Sequence, residues 1–518
     1  MRAVVSESMS EVRSDALRPR KRKSWWIWLI ATIAILLVIA AILLARAWPF
    51  TQANVIRELE LATSSHVRIG AFRRTYFPRP GCVAEQVTLE RGTNPQDRAV
   101  MTMQRLSIEG NITRMLSRHV ALIRAEGAHL QFPPIGAGQP WKPTESSVIV
   151  DELIADGALL DFARHDSRQP KVKFLIDKFA GHHLASHDAM RFELEVQNPT
   201  PPGEISASGS FGPWGADQIS RTPVSGNYTF RNADLGALGG ILGTLSSDGT
   251  FRGTLESIAI DGKTATPNFA VKGTPHRLAL SSEFHTEVDS TNGDVTLHQV
   301  QARLQRTLVS SRGTVAEHRN EDGKRATLDL AVQNGRIQDL LLLFVSDPQA
   351  PLNGQISIAA KTVIPPGKEP FLRRLQMTGD FGIADAFFTK LKTQEGIDKL
   401  STQARGQADQ VDDPERVVSN LQGHVEVRDG VATFSSLSFR VPGAKARLDG
   451  TFDLITQKVN FHGMLFMEAK LPQATSGIKS FLLKAIDPFL KKNRRGGAKF
   501  PVSITGTYQH PSYHADPV

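Results

Sequence analysis

The sequence predicts a mainly β protein: one long antiparallel sheet or an open barrel, preceded by a single apolar helix and carrying few others. Three observations predict it. Apolar and polar side chains alternate along many short runs, the period-two signature of an extended chain with two unlike faces. Turn residues punctuate those runs, with 41 Gly and 29 Pro in 518 residues, several of them in Asp-Gly or Pro-Gly pairs. Stretches of helical period are few and short.

The first element is Trp25–Ala45, 21 residues without a charge. At about 1.5 Å per residue it can cross a hydrocarbon core of roughly 30 Å. Trp25, Trp26 and Trp28 stand at one end and Trp48 at the other, where amphipathic rings prefer the interface. Five basic residues between Arg18 and Lys23 precede it, whereas only Arg46 follows closely. The positive-inside rule then keeps residues 1–24 in the cytoplasm and exports the rest. A cleaved signal peptide is the rival reading, since Ala45-Arg46-Ala47 mimics a small-x-small site. Its apolar region would be too long for one.

Asn54–Leu61 has a helical rhythm, with Val55, Ile56 and Leu59 on one side. From Val67 the period is two: Val67 and Ile69, Val87 and Leu89, Leu106 and Ile108 mark strands. Ile112–Leu116 reads as a short helix and His119–Arg124 as a strand. An acidic-Gly device then opens alternating runs at Glu126-Gly127, Asp156-Gly157 and Asp429-Gly430. A related device places an aromatic two residues after Gly: Gly209/Phe211, Gly226/Tyr228, Gly249/Phe251 and Gly450/Phe452. Gly allows the turn or bulge, and the ring packs on the next strand. Short helices are expected at Leu340–Val345 and Phe387–Leu400, and linkers at Pro133–Pro143, Asn198–Gly203 and Pro365–Pro370.

Charge narrows the function. Of the net +9, residues 1–24 hold +4 and residues 470–499 hold +7, leaving −2 for the rest. A nucleic-acid binder would spread a basic face over its folded body, so nucleic acid is not an expected partner. Basic ends beside apolar sequence favour membranes. The single cysteine, Cys82, excludes an intramolecular disulfide framework and any multi-cysteine metal site.

Motifs for chemistry are lacking. Gly262-Lys263-Thr264 resembles the end of a phosphate loop, but Ser257 stands where that motif needs Gly, and the segment lies between strands. Gly236, Gly239, Gly240 and Gly243 do not have dinucleotide spacing and read as a small-residue packing turn. His182, His183 and His187 could supply metal ligands, yet a zinc site needs three fixed ones and the context reads as a loop. No Gly-x-Ser-x-Gly elbow and no His-Glu-x-x-His occurs. No cofactor, metal or catalytic residue is expected, and the chain does not read as an enzyme.

Gly477–Lys492 is the strongest local pattern. Ile478, Phe481, Leu482, Ala485, Ile486, Phe489 and Leu490 form one helical stripe, with Lys479, Lys484, Lys491 and Lys492 off it. Such a helix suits a membrane interface or anionic lipid. It equally suits a terminal helix capping the sheet, and amphipathicity alone does not separate the two. Pro488 should bend it.

With these residues in view, the chain resembles the AsmA-like family of envelope proteins. At the N-terminus the likeness lies in the basic flank, the one span, the short helix and HVRIGAFRRTYFPRPGCVAEQVTLERG (His66–Gly92). At the C-terminus it lies in Leu421–Gly463, the amphipathic stretch and FPVSITGTYQHPSYHAD (Phe500–Asp516). The resemblance implies an inner-membrane-anchored periplasmic protein related to bridge-like lipid transporters, with an elongated, curved sheet whose inner side is a hydrophobic groove for acyl chains. It implies phospholipids, the inner membrane and outer-membrane assembly as partners, and lipid transfer or outer-membrane homeostasis as the role. The implied segments are a tail (1–24), a span (25–45), an N-terminal β region (46–135), a central groove (136–370) and a C-terminal β region (371–518) with helix 477–492. A rod of about twenty strands would be about 100 Å long.

On that reading Val431, Leu437, Phe439 and Val441 line the groove on one face of a hairpin, with Thr433 and Ser435 between them. Ala444, Ala446 and Leu448 continue it after the turn, followed by Val459, Phe461, Leu465 and Met467. The rival class is a non-transporting structural or assembly protein of the envelope, assisting outer-membrane protein assembly.

Overall fold

The structure is a computed structural model that describes residues 49–91, 99–111, 119–132, 148–162, 172–185, 187–213, 219–318, 321, 323–367, 369–404, 418–467 and 498–515. Trp25–Ala45, Ile112–Leu116 and the stretch 477–492, with Ile478, Lys479, Phe481, Leu482, Lys484, Ile486, Phe489, Lys491 and Lys492, lie outside them. Among the described residues no helix is long and apolar enough to cross a membrane.

Alternation becomes one long, curved sheet of 26 strands. It starts with helix α1 (Gln52–Thr63), whose N-terminus is capped by Thr51 accepting from the Asn54 amide. Strands β1 (His66–Thr75), β2 (Gly81–Arg91) and β3 (Ala99–Gly110) then pair antiparallel in order. The apolar side of α1 packs through Val55, Ile56 and Leu59 onto Val67, Cys82, Ala84 and Leu106.

The next step departs from the meander. β4 (His119–Glu126) and β5 (His129–Phe132) both pair with β3, and they run parallel to β6 (Ile149–Ile154) and β7 (Ala158–Phe162). His119 stands beside Ile149 and Phe132 beside Phe162, a constant offset of 30 residues. Gly127 and Gly157, both at positive φ, fall at equivalent points of the two copies. The acidic-Gly device is therefore repeated in space, one copy stacked on the other.

From there the chain is an antiparallel meander: β8 (Val172–Leu184), β9 (Met190–Pro199), β10 (Pro202–Phe211), β11 (Pro223–Asp234), the two-residue β12 (Ile241–Leu242), β13 (Thr244–Thr254), β14 (Ser257–Val271), β15 (Leu278–Asp289), β16 (Asp294–Leu304), β17 (Thr307–Glu317) and β18 (Lys324–Arg336). It continues through β19 (Leu352–Ile364), β20 (Gln376–Phe388), β21 (Ser419–Arg428), β22 (Val431–Val441), β23 (Ala444–Asp453), β24 (Lys458–Met467), β25 (Ala498–Thr507) and β26 (Pro511–Ala515). Counting β4 with β5 and β6 with β7 as single steps, and leaving β12 aside, the sheet has 23 steps. With roughly 4.8 Å between neighbouring steps, its contour is about 105 Å over the 22 spacings.

Helices α2 (Ile337–Leu341) and α4 (Leu391–Ala404) sit in connections on one long edge, and α3 (Phe371–Arg374) sits on the other. The Leu340–Val345 helix is thus short and begins earlier than its sequence suggests. Of Phe387–Leu400, the first two residues belong to β20. Asn198–Gly203 is no linker but the turn of the β9–β10 hairpin, because the register runs through it from Asn198↔Gly203 onward.

Candidate functional site

Register decides what the alternation builds. Side chains directly opposite one another on paired strands share a face, so one row of partners can be followed across the sheet. Starting on β8 it reads Phe179, Leu194, Ala207, Tyr228, Gly249, Gly262, Phe284, Val300, Ser311 and Leu330. It goes on through Ala360, Gly379, Val425, Phe434, Gly450, Phe461 and Ile504 on β25. No charged side chain interrupts it.

The neighbouring row on the other face reads Lys178, Glu195, Ser206, Thr229, Asp248, Lys263, Glu283, Gln301 and Ser310. Ion pairs such as Lys263–Glu283 at 2.9 Å and Arg312–Asp329 at 3.3 Å lie on that side, solvated and of small energetic weight. The sheet therefore has one wet face and one apolar face along its length.

The apolar face is covered unevenly. At its start α1 closes it over β1–β3. Near β20–β24, α4 packs Ile397 against Leu437, Val441, Ala444, Ala446, Leu448, Leu465 and Met467. Ser401 of α4 is fully buried and donates to the Pro442 carbonyl at 2.8 Å, while Gln394 accepts from the Phe388 amide. Over β9–β16 the rings and aliphatic groups of the face stay half-exposed, with Phe192, Leu194, Tyr228, Phe251, Phe284 and Val300 all only partly buried, before α2 packs Ile337 with Val332, Leu352, Ile356 and Ile383 over β18–β20. A contiguous run of half-covered rings and aliphatic groups is the kind of feature that makes a candidate interaction surface.

Its floor is levelled by glycine. Gly226 stands opposite Phe251, and Tyr228 opposite Gly249, so each ring lies over the other strand's glycine. A Cβ on Gly226 would come within 2.7 Å of Phe251 Cζ, and one on Gly249 within 2.9 Å of Tyr228 Cε1. Rings laid down in this way fill the space a side chain would occupy and leave the surface low. Four hydroxyls cross the same floor: Tyr228 bonds Ser247 at 3.0 Å and Thr264 bonds Ser282 at 2.6 Å. Burial pushes the Tyr228 phenol pKa up, against the opposing effect of the Ser247 bond.

The sequence-derived residues fall into three groups. Leu437, Val441, Leu448 and Leu465 do lie on the apolar face, but each is at most 9% exposed, inside the packed end under α4. Phe439 and Phe461 are half-buried beside them, and Phe434 links Phe381 to Phe461 through ring contacts of 5.9 and 5.6 Å. Val431 belongs to the opposite face. A bulge at Ser435–Ser436 shifts the register, so Ala432 and Phe434 join Leu437 and Phe439, while Val431 faces outward with Thr433.

The resemblance implied a groove over 136–370 but singled out no residue of this open stretch, although the Gly-x-aromatic pairs at 226–228 and 249–251 were its signal. His182 and His183 sit in β8, not in a loop, and His183 pairs with Asp188 at 3.2 Å. Among the described residues no three His, Cys, Asp or Glu side chains converge to hold a metal.

The fold and its faces define a class: a mainly β protein presenting one long, partly uncovered apolar surface. Compared with protein-family models, curated proteins and solved structures, the chain matches none.

Proposed function

We propose that this chain is a membrane-anchored envelope protein of the AsmA-like type that holds phospholipid acyl chains along its apolar face for lipid transfer or outer-membrane homeostasis. The observation that carries the reading is the uncharged row from Phe179 to Ile504, half-exposed over its central strands. Each acyl CH₂ taken from water onto such a face gains about 0.8 kcal/mol, while head groups at the strand ends stay hydrated. Successive strands offer near-equivalent apolar positions, so a tail can move along the row with no bond made or broken.

The apolar face then forms the inside of the sheet's curve, a trough closed by α1 at one end and narrowed by α4 towards the other. Trp25–Ala45 would tether it to the inner membrane, with the sheet in the periplasm. Purification of the full-length chain followed by lipid extraction and mass spectrometry tests this. Phospholipid in stoichiometric amount is expected. A lipid-free sheet, in detergent conditions that retain other lipid-binding proteins' cargo, would favour a structural or assembly role instead.

A further inference from the structure

At the far end of the sheet, the face opposite the apolar row carries cations without counter-charges. Register sets Arg440 opposite Lys445, Lys445 opposite Phe466, and Phe466 opposite Lys499; Arg447 follows Lys445 on the same side of β23. Arg440, Arg447 and Lys499 are exposed and Lys445 is half-exposed. None of the four forms an ion pair among the described residues; Lys499 rests over the Phe466 ring at 5.5 Å. The acid next along β23, Asp449, is engaged by the Ser436 amide at 2.8 Å. Lys445 is held below its ordinary pKa, first by desolvation and then by repulsion from Arg440 and Arg447.

Concentrated like charge costs stability, so a fold that keeps it on one patch needs an anion from outside. Met464 and Phe466 lie half-buried between the cations, giving the mixture of basic and apolar groups suited to a bilayer surface. Strands β24 and β25, which carry Phe466 and Lys499, lead into the sequence between Met467 and Ala498, whose lysines and apolar stripe have the same composition. We infer that Arg440, Lys445, Arg447 and Lys499 form a docking surface for a membrane of anionic headgroups. It uses the outer face of β22–β25 and does not depend on what the apolar face carries.

The test holds the full-length chain in nanodiscs of phosphatidylcholine and measures capture of separate vesicles, either phosphatidylcholine alone or phosphatidylcholine with phosphatidylglycerol. Capture of the anionic vesicles, weakened by salt, is expected. The triple variant Arg440→Gln, Lys445→Gln, Arg447→Gln should lower it on the order of 100-fold, from the attraction of each basic side chain to an anionic surface. The charge-keeping variant Arg440→Lys, Arg447→Lys should retain it. Because the Gln variant relieves repulsion, its melting temperature should not fall, which separates lost docking from lost folding. Equal capture of both vesicle types, or capture unchanged in the Gln variant, overturns the inference. So does displacement of the vesicles by inorganic phosphate at matched ionic strength, which would mark a discrete phosphate site instead.

Discussion

Replacing Val300 by Asp places one charge at the centre of the apolar row. Val300 stands between Phe284 and Ser311, half-exposed, with paired strands on both sides. An acyl tail laid across the strands would span roughly four steps, about 19 Å. A carboxylate at the midpoint takes about four CH₂ groups out of contact, at about 0.8 kcal/mol each. The loss of about 3 kcal/mol is roughly two orders of magnitude in local occupancy. The strand itself should tolerate the change, since β-preference differences span only about 1 kcal/mol against a stability of about 5–15. Thr314→Asp, exposed on the opposite face between Thr296 and Thr327, is the matched control. The assay is transfer of fluorescent phospholipid between donor and acceptor vesicles by the full-length chain. Val300→Asp should slow transfer about 100-fold yet remove only part of the bound lipid, because the row continues on both sides. Equal transfer by Val300→Asp and Thr314→Asp would refute the reasoning.

Four further outcomes follow from the packing. Cys82 is 1% exposed, and burial pushes its thiol pKa up to about 12, so a maleimide at mildly alkaline pH should label only the unfolded chain. Its folded pKa lies above the unfolded one, so its contribution is complete below about 8.5 and is lost as pH rises towards 12, readable in alkaline denaturation midpoints. Ser401→Ala leaves the Pro442 carbonyl without its donor; a cost of about 1–2 kcal/mol should appear as faster amide exchange in α4. Gly249→Val should do more damage, since a Cβ there meets the Asp261 carbonyl oxygen at 2.3 Å and the Tyr228 ring at 2.9 Å; thermal melting would show a loss of several kcal/mol.

Much of this architecture was legible because strand alternation and hairpin turns are local. Asp429-Gly430 adopts the positive-φ pair its sequence announces, and the turn at 442–443 follows Pro-Gly. Two features were not legible, for the opposite reason. Ser436 adopts φ 54°, and its amide is held by the Asp449 carboxylate on the next strand, so the bulge that turns Val431 outward is specified from 13 residues away. The stacking of Glu126–Leu130 on Asp156–Leu160 required knowing that β4/β5 and β6/β7 run parallel, although the repeated acidic-Gly-Ala was present in the sequence. The candidate site shows the same division. Sequence identified Leu437, Phe439, Val441, Leu448, Phe461 and Leu465 as apolar-face residues, but their burial under α4 depends on Ile397, which no strand pattern reveals.

The central claim is that acyl chains lie on the half-exposed face between the two packed ends. A phospholipid with a diazirine at the end of its tail, photolysed with the full-length chain and mapped by peptide mass spectrometry, tests it directly. Adducts are expected on Phe251, Phe284, Val300 and Leu328, with few on the Leu437–Leu465 cluster and none at Thr250, Thr296 or Thr314. Adducts confined to Trp25–Ala45, or spread equally over both faces, would contradict it.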